Sequence, residues 1–168
     1  MSARDIARGG LLTAAAVALL YLGGAAPWMG VVCCILAGVA SAVPLMRLGR
    51  VKMAVLLYLA ACVLSALLAP RKSLVISYAG FFGLYPILKY GIEARVPRHM
   101  QRPCKLVYFN LALAAAFALV RLGLFFAVEI PGFWRLLMAW FAANVVFEIY
   151  DVGLSRLIAA LRKTLPPE

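Results

Sequence analysis

The stretch Met53-Ala-Val-Leu-Leu-Tyr-Leu-Ala-Ala-Cys-Val-Leu-Ser-Ala-Leu-Leu-Ala69 carries no charged residue, and it is bounded by Lys52 on one side and by Pro70-Arg71-Lys72 on the other. A hydrocarbon core about 30 Å thick asks for about 20 largely apolar residues per helical crossing, so this run reads as a transmembrane helix. Five more runs of the same kind surround it, giving six expected crossings at 6–25, 28–46, 53–69, 74–90, 106–128 and 133–149. They are separated by Pro, Gly or clustered charge. The fourth carries Pro86 and is expected to be kinked or only shallowly inserted.

Composition supports the same reading. Of 168 residues, 66% are hydrophobic and 14% charged, with mean hydropathy +0.99. Soluble domains hold roughly 45–50% apolar residues, so water is the wrong solvent for this chain. Six hairpinned helices use nearly its whole length, which predicts an all-α, polytopic, single membrane domain over 1–168. The first run follows Arg4 and Arg8 like the apolar segment of a signal peptide, but Ala25-Ala26-Pro27-Trp28 leads directly into further apolar sequence, so it is kept as a mature helix.

Basic residues set the orientation. With the N-terminus inside, 13 of the 17 Lys and Arg fall in cytoplasmic joints and ends, and only Arg71, Lys72, Arg121 and Arg135 fall outside or within the membrane. That bias follows the positive-inside rule and places both termini in the cytoplasm of a bacterial inner membrane. It also accounts for the net charge of +11 without a nucleic-acid partner, since no separate basic domain exists. The tail over 152–165 spaces Leu154, Leu157, Ile158, Leu161 and Leu165 as an amphipathic helix that lies on the inner leaflet, continues the sixth crossing or docks on a partner.

Residues able to carry chemistry are sparse. His99 is the only histidine; the chain holds no GxxxxGK[ST], GxSxG or HExxH motif, and its four cysteines lack metal-ligand spacing. Ser41, Ser65 and Ser77 have no intramembrane histidine to activate them, so neither an enzyme, a metal site nor a bound cofactor is expected. Arg121 sits within the apolar slab, where it either snorkels toward the outer headgroups and Glu129 or faces a substrate. On the sixth helix Asn144, Glu148 and Asp151 follow at i, i+4 and i+7, a polar stripe expected to face the bundle. Lys89 can meet Glu148 or Asp151 there, or Glu93 at i,i+4, as a structural polar pair.

The segment from Tyr78 to Lys89 combines Gly80 and Gly83 with four aromatics and Pro86, and reads as a bent, closely packed helix. Trp28, Trp134 and Tyr21 suit an interfacial aromatic belt. Gly10, Ala14 and Ala18 repeat at spacings of four on the first helix, which lets another backbone approach closely.

In its six runs, cytoplasmic N-terminus and Ala-rich first helix, the chain resembles the substrate-binding S components of energy-coupling-factor transporters. The likeness is architectural and covers almost the whole length. It implies that Ala14 and Ala18, extended by Gly10, dock a transmembrane coupling subunit that holds two ATPases. It also implies an outward-opening pocket for a small molecule which, by depth, recruits Trp28, Tyr78, Arg121, Trp134 and Asn144. The N-terminal histidine of the metal-transporting members is missing from Met1 to Gly9. The alternative expectation is a small non-catalytic scaffold for envelope or cell-wall proteins, similar in size and helix number to the rod-shape-determining membrane proteins.

Overall fold

The computed structural model describes residues 3–48, 50–121 and 132–164. Among them there is helix and no strand. The chain divides into two compact units, Met1–Arg95 and Val96–Glu168.

The first unit begins with α1 (Ala3–Ala25), followed by a 3-10 turn at Pro27–Met29 and by α2 (Gly30–Leu48). Then come α3 (Val51–Leu68) and α4 (Lys72–Ser77), a π-helical turn at Tyr78–Phe82, and α5 (Tyr85–Arg95). Pro27 opens its turn at a position where a missing N–H costs nothing. The end of α3 is set at Ala69, which is extended at φ −72° and ψ 134° because it precedes Pro70. Its N–H still donates to the Ser65 carbonyl at 2.8 Å.

Small residues let these helices approach one another. The core joins Ala16, Val17 and Leu20 of α1, Cys34, Ala37 and Ala40 of α2, Ala61 of α3 and the whole of Tyr78. On α3 the buried positions are Ala54, Leu57, Ala61 and Ser65, one face of a helix with alanine at two of four places. The remaining faces carry large apolar side chains outward, including Leu11, Val31, Leu56, Leu59, Val63 and Leu67. In water such a surface would associate; in lipid it is solvated.

The second unit contains α6 (Arg98–Arg121) and α7 (Phe133–Thr164). Outward-facing Phe133, Trp134, Met138, Phe141, Val146 and Ile149 continue the same pattern on α7.

Among the described residues four helices are long and apolar enough to cross a membrane: Asp5–Ala25, Val51–Leu68, Arg98–Arg121 and Phe133–Ala160; Gly30–Leu45 is apolar but shorter. The structure departs from the sequence reading at two places. The fourth run is not one bent helix: it divides into α4, the π turn and α5. The fifth helix starts at Arg98, eight residues before the expected Leu106, since hydropathy marks only the apolar part; the polar segment from Arg98 to Lys105 is helical despite Pro103 within it. Of the courses left open for the tail, the helix shows continuation from the sixth run: α7 runs unbroken to Thr164, with no proline to stop it. Residues 122–131, with Glu129 and Pro131, lie outside the described residues, as does the chain after Thr164.

Candidate functional site

Three arrangements hold the residues that carry polarity or an unusual backbone. The first is the π turn between α4 and α5. Widening the helix here gives an i to i+5 hydrogen bond, with Gly83 N–H donating to the Tyr78 carbonyl at 2.8 Å. The Ala79 carbonyl inside the widened turn accepts instead from the Tyr58 hydroxyl of α3, at 2.7 Å. Tyr78 is fully buried and its hydroxyl lies 3.0 Å from Ser41 Oγ of α2, also fully buried. Cys34 Sγ of α2 donates weakly to the Leu74 carbonyl at 3.7 Å.

Two glycines permit that packing. A Cβ on Gly38 of α2 would run into the Phe82 carbonyl, and one on Gly83 would stand 2.7 Å from the Tyr78 ring and 2.9 Å from that of Tyr58. Pro86 falls in the first turn of α5, where a helix tolerates proline. Beyond it Lys89 is 1% exposed and pairs with the half-exposed Glu93 at 2.9 Å, one turn along the same helix. Phe81 stacks on Tyr85, with ring centroids 5.4 Å apart, and meets Phe82 edge-on.

The second arrangement is a ladder between α6 and α7. Asn110 faces Asn144, Phe109 faces Phe147 and Lys105 faces Asp151, so numbers fall on α6 as they rise on α7 and the helices run antiparallel. Asn110 Nδ2 donates to Asn144 Oδ1 at 3.0 Å and to the Leu106 carbonyl at 2.9 Å. Asn144 Nδ2 donates to the Trp140 carbonyl at 2.9 Å and, more weakly, to Asn110 Oδ1 at 3.4 Å. Trp140 Nε1 completes the set at 2.7 Å from Asn110 Oδ1. Both amides spend their hydrogens inside the cluster. Below it the Phe109 and Phe147 rings stack at 4.5 Å and 8°, and Lys105 Nζ reaches Asp151 Oδ2 at 3.1 Å with both side chains largely buried.

The third is the outer side of α1. Gly10, Ala14 and Ala18 are all exposed. Ala14 and Ala18, with Val17 and Tyr21, form one wall of an apolar groove of about 620 Å³ whose other wall is Leu64 and Leu68 of α3. A smaller cavity of about 230 Å³ lies toward the start of α1, between Leu11, Leu12, Val43 and Pro44, with Asp5 and Arg8 at its polar end. Asp5 also pairs with Arg50 at 2.5 Å.

No protein family, no curated protein and no solved structure matches this chain. Geometry therefore carries the functional argument.

The residues proposed by depth as a pocket occupy different surroundings. Trp28 is 82% exposed and Trp134 75%, both at helix starts. Tyr78 is in the core of the first unit, and Asn144 is in the ladder of the second. Arg121 is exposed at the last described turn of α6, its guanidinium 5.4 Å from the centroid of the Phe117 ring. An exposed contact of this kind is worth about 0.5–1 kcal/mol. Of the polar stripe on α7, Asp151 takes Lys105 and Asn144 takes Asn110, while Lys89 takes Glu93.

Sequence reasoning passed over Tyr58, Asn110, Trp140 and the Asp5–Arg50 pair. One signal was available: an asparagine inside an apolar helix is expensive unless it finds a partner, so Asn110 and Asn144 on consecutive helices were candidates for each other. Among the described residues no three His, Cys, Asp or Glu side chains gather as metal ligands.

Proposed function

We propose that this chain is a membrane-embedded capture subunit of an ATP-driven uptake system, crossing a bacterial inner membrane six times with both ends inside and taking its energy from ATPases on other chains. The observation that supports this reading most directly is the exposed Gly10, Ala14 and Ala18 row beside the apolar α1–α3 groove. Small side chains there leave room for the close approach of a partner's transmembrane helix. The basic-inside distribution and the lack of nucleotide-binding motifs fit a subunit that depends on a coupling protein.

The test is co-expression with a coupling subunit and its two ATPases. Co-purification is expected for the natural chain, and at least a tenfold loss for Ala14→Trp or Ala18→Trp, whose bulk would occupy the groove. Equal recovery from all three would remove the proposal.

A second reading, a non-catalytic scaffold for envelope proteins, is favoured by the surroundings of Arg121, Trp28 and Trp134, which are exposed. A capture subunit should bind a small molecule and lose it in Arg121→Ala; a scaffold should be indifferent to that change.

A further inference from the structure

The side of α6 that meets α7 changes character along its length. Arg98, Arg102, Lys105 and Phe109 follow at i, i+4, i+7 and i+11 and so share that face. Phe109 has Phe147 opposite and Lys105 has Asp151, but α7 carries no acidic residue from Val152 to Thr164. Continuing the antiparallel register brings Arg102 level with Leu154 and Arg98 level with Ile158, both apolar. Both arginines are exposed, and among the described residues no hydrogen bond or ion pair engages either guanidinium. Arg156, also exposed, adds a third cation at the same end of the hairpin, where Asp151 is taken by Lys105.

We propose that this end of the α6–α7 hairpin holds one anionic phospholipid, its phosphate bridged by Arg98 and Arg102 and its acyl chains continuing into the hydrocarbon. Depth favours a lipid over a soluble anion. The apolar part of α6 begins at Leu106, so at 1.5 Å per residue Arg102 stands about 6 Å outside it and Arg98 about 12 Å. The headgroup layer on each side of the hydrocarbon is roughly 5–8 Å thick, and an arginine stem can lie back along its helix to bring the guanidinium to phosphate depth. Spacing favours a single phosphate, since side chains at i and i+4 start about 6 Å apart and guanidinium groups bind phosphate oxygens through paired N–H donors. Charge selects a lipid that is net negative over a zwitterionic one, because no spare carboxylate stands opposite the arginines to receive a cationic headgroup. The inference rests on the membrane reading of α6 and α7 and is independent of the capture role, because it concerns this chain alone.

Native mass spectrometry of the purified full chain, released from micelles doped with phosphatidylglycerol or with phosphatidylcholine, tests it. One phosphatidylglycerol should persist at collision energies that strip phosphatidylcholine. Arg98→Gln with Arg102→Gln should lower that retention at least fivefold, and Lys at both positions should restore part of it, since Lys keeps the charge but loses the paired donors. Arg71→Gln with Arg135→Gln removes the same amount of charge from exposed positions elsewhere and should leave retention unchanged. Equal retention of the two lipids, or the same loss in both double variants, would identify non-specific surface lipid and overturn the proposal. Displacement of phosphatidylglycerol by millimolar inorganic phosphate would assign the arginines to a soluble anion and overturn it too. A chain that stays dissolved once detergent is withdrawn would instead remove the membrane reading, and this is seen before any lipid is added.

Discussion

At Gly38 a single hydrogen atom decides how closely α2 can meet the π turn. Adding a methyl group there drives a Cβ into the Phe82 carbonyl, and since both sides of the collision are backbone, neither can swing away. Gly38→Ala should therefore lower stability by about 1–3 kcal/mol, the usual range for overpacking that forces a backbone shift. Gly80, two residues from Phe82, is the control: nothing lies within 4 Å of its added Cβ, so Gly80→Ala should be neutral or slightly stabilising. Unfolding of both variants in detergent by graded denaturation measures the difference. In sequence the two glycines look alike, as small residues in apolar helices. Only the position of the Phe82 carbonyl separates them.

Within the α6–α7 element the stabilising contacts form a ladder, and its polar rung is the pair Asn110 and Asn144. In lipid an unpartnered amide is costly, but the partly unfolded reference state also finds partners, so such contacts average about 0.6 kcal/mol and reach about 1.7. A double-mutant cycle with Asn110→Ala and Asn144→Ala should give a coupling energy in that range. Each single change should cost nearly as much as the double, because the hydrogen bonds between the two amides are lost with either one. Additive losses would mean that the side chains act separately. Lys89 beside Glu93 needs only helical spacing to be anticipated, since i,i+4 residues share a face. Lys105 with Asp151, 46 positions apart, does not follow from any local rule. The break of the fourth run into α4, π turn and α5 sits between these cases. Pro86 announces a disturbance, but the widened turn depends on Tyr58 reaching the Ala79 carbonyl from another helix.

For the whole molecule the governing fact is the solvent. Among the described residues four helices are long and apolar enough to span a bilayer, and the large apolar side chains they turn outward suit hydrocarbon better than water. If the six crossings drawn from the sequence are right, reporter fusions at the two ends should give the same cytoplasmic signal, and a fusion in the joint near Pro70 the opposite one. Ends on opposite sides would leave an odd number of crossings and require a different layout.

The amino-acid sequence alone determined the helical class, the presence of apolar helices long enough for a bilayer and the bias of basic charge, because each of these depends on local composition and on a 1.5 Å rise set against a fixed bilayer thickness. It also located the unusual segment around Tyr78 to Lys89, since glycine, aromatic and proline chemistry is read residue by residue. Tertiary structure decided which partners those residues take: Tyr78 with Ser41, Asn110 with Asn144, Asp5 with Arg50. Pairings across helices depend on rotation, register and crossing geometry, and these are set by the packing of many side chains at once instead of by any one stretch of chain.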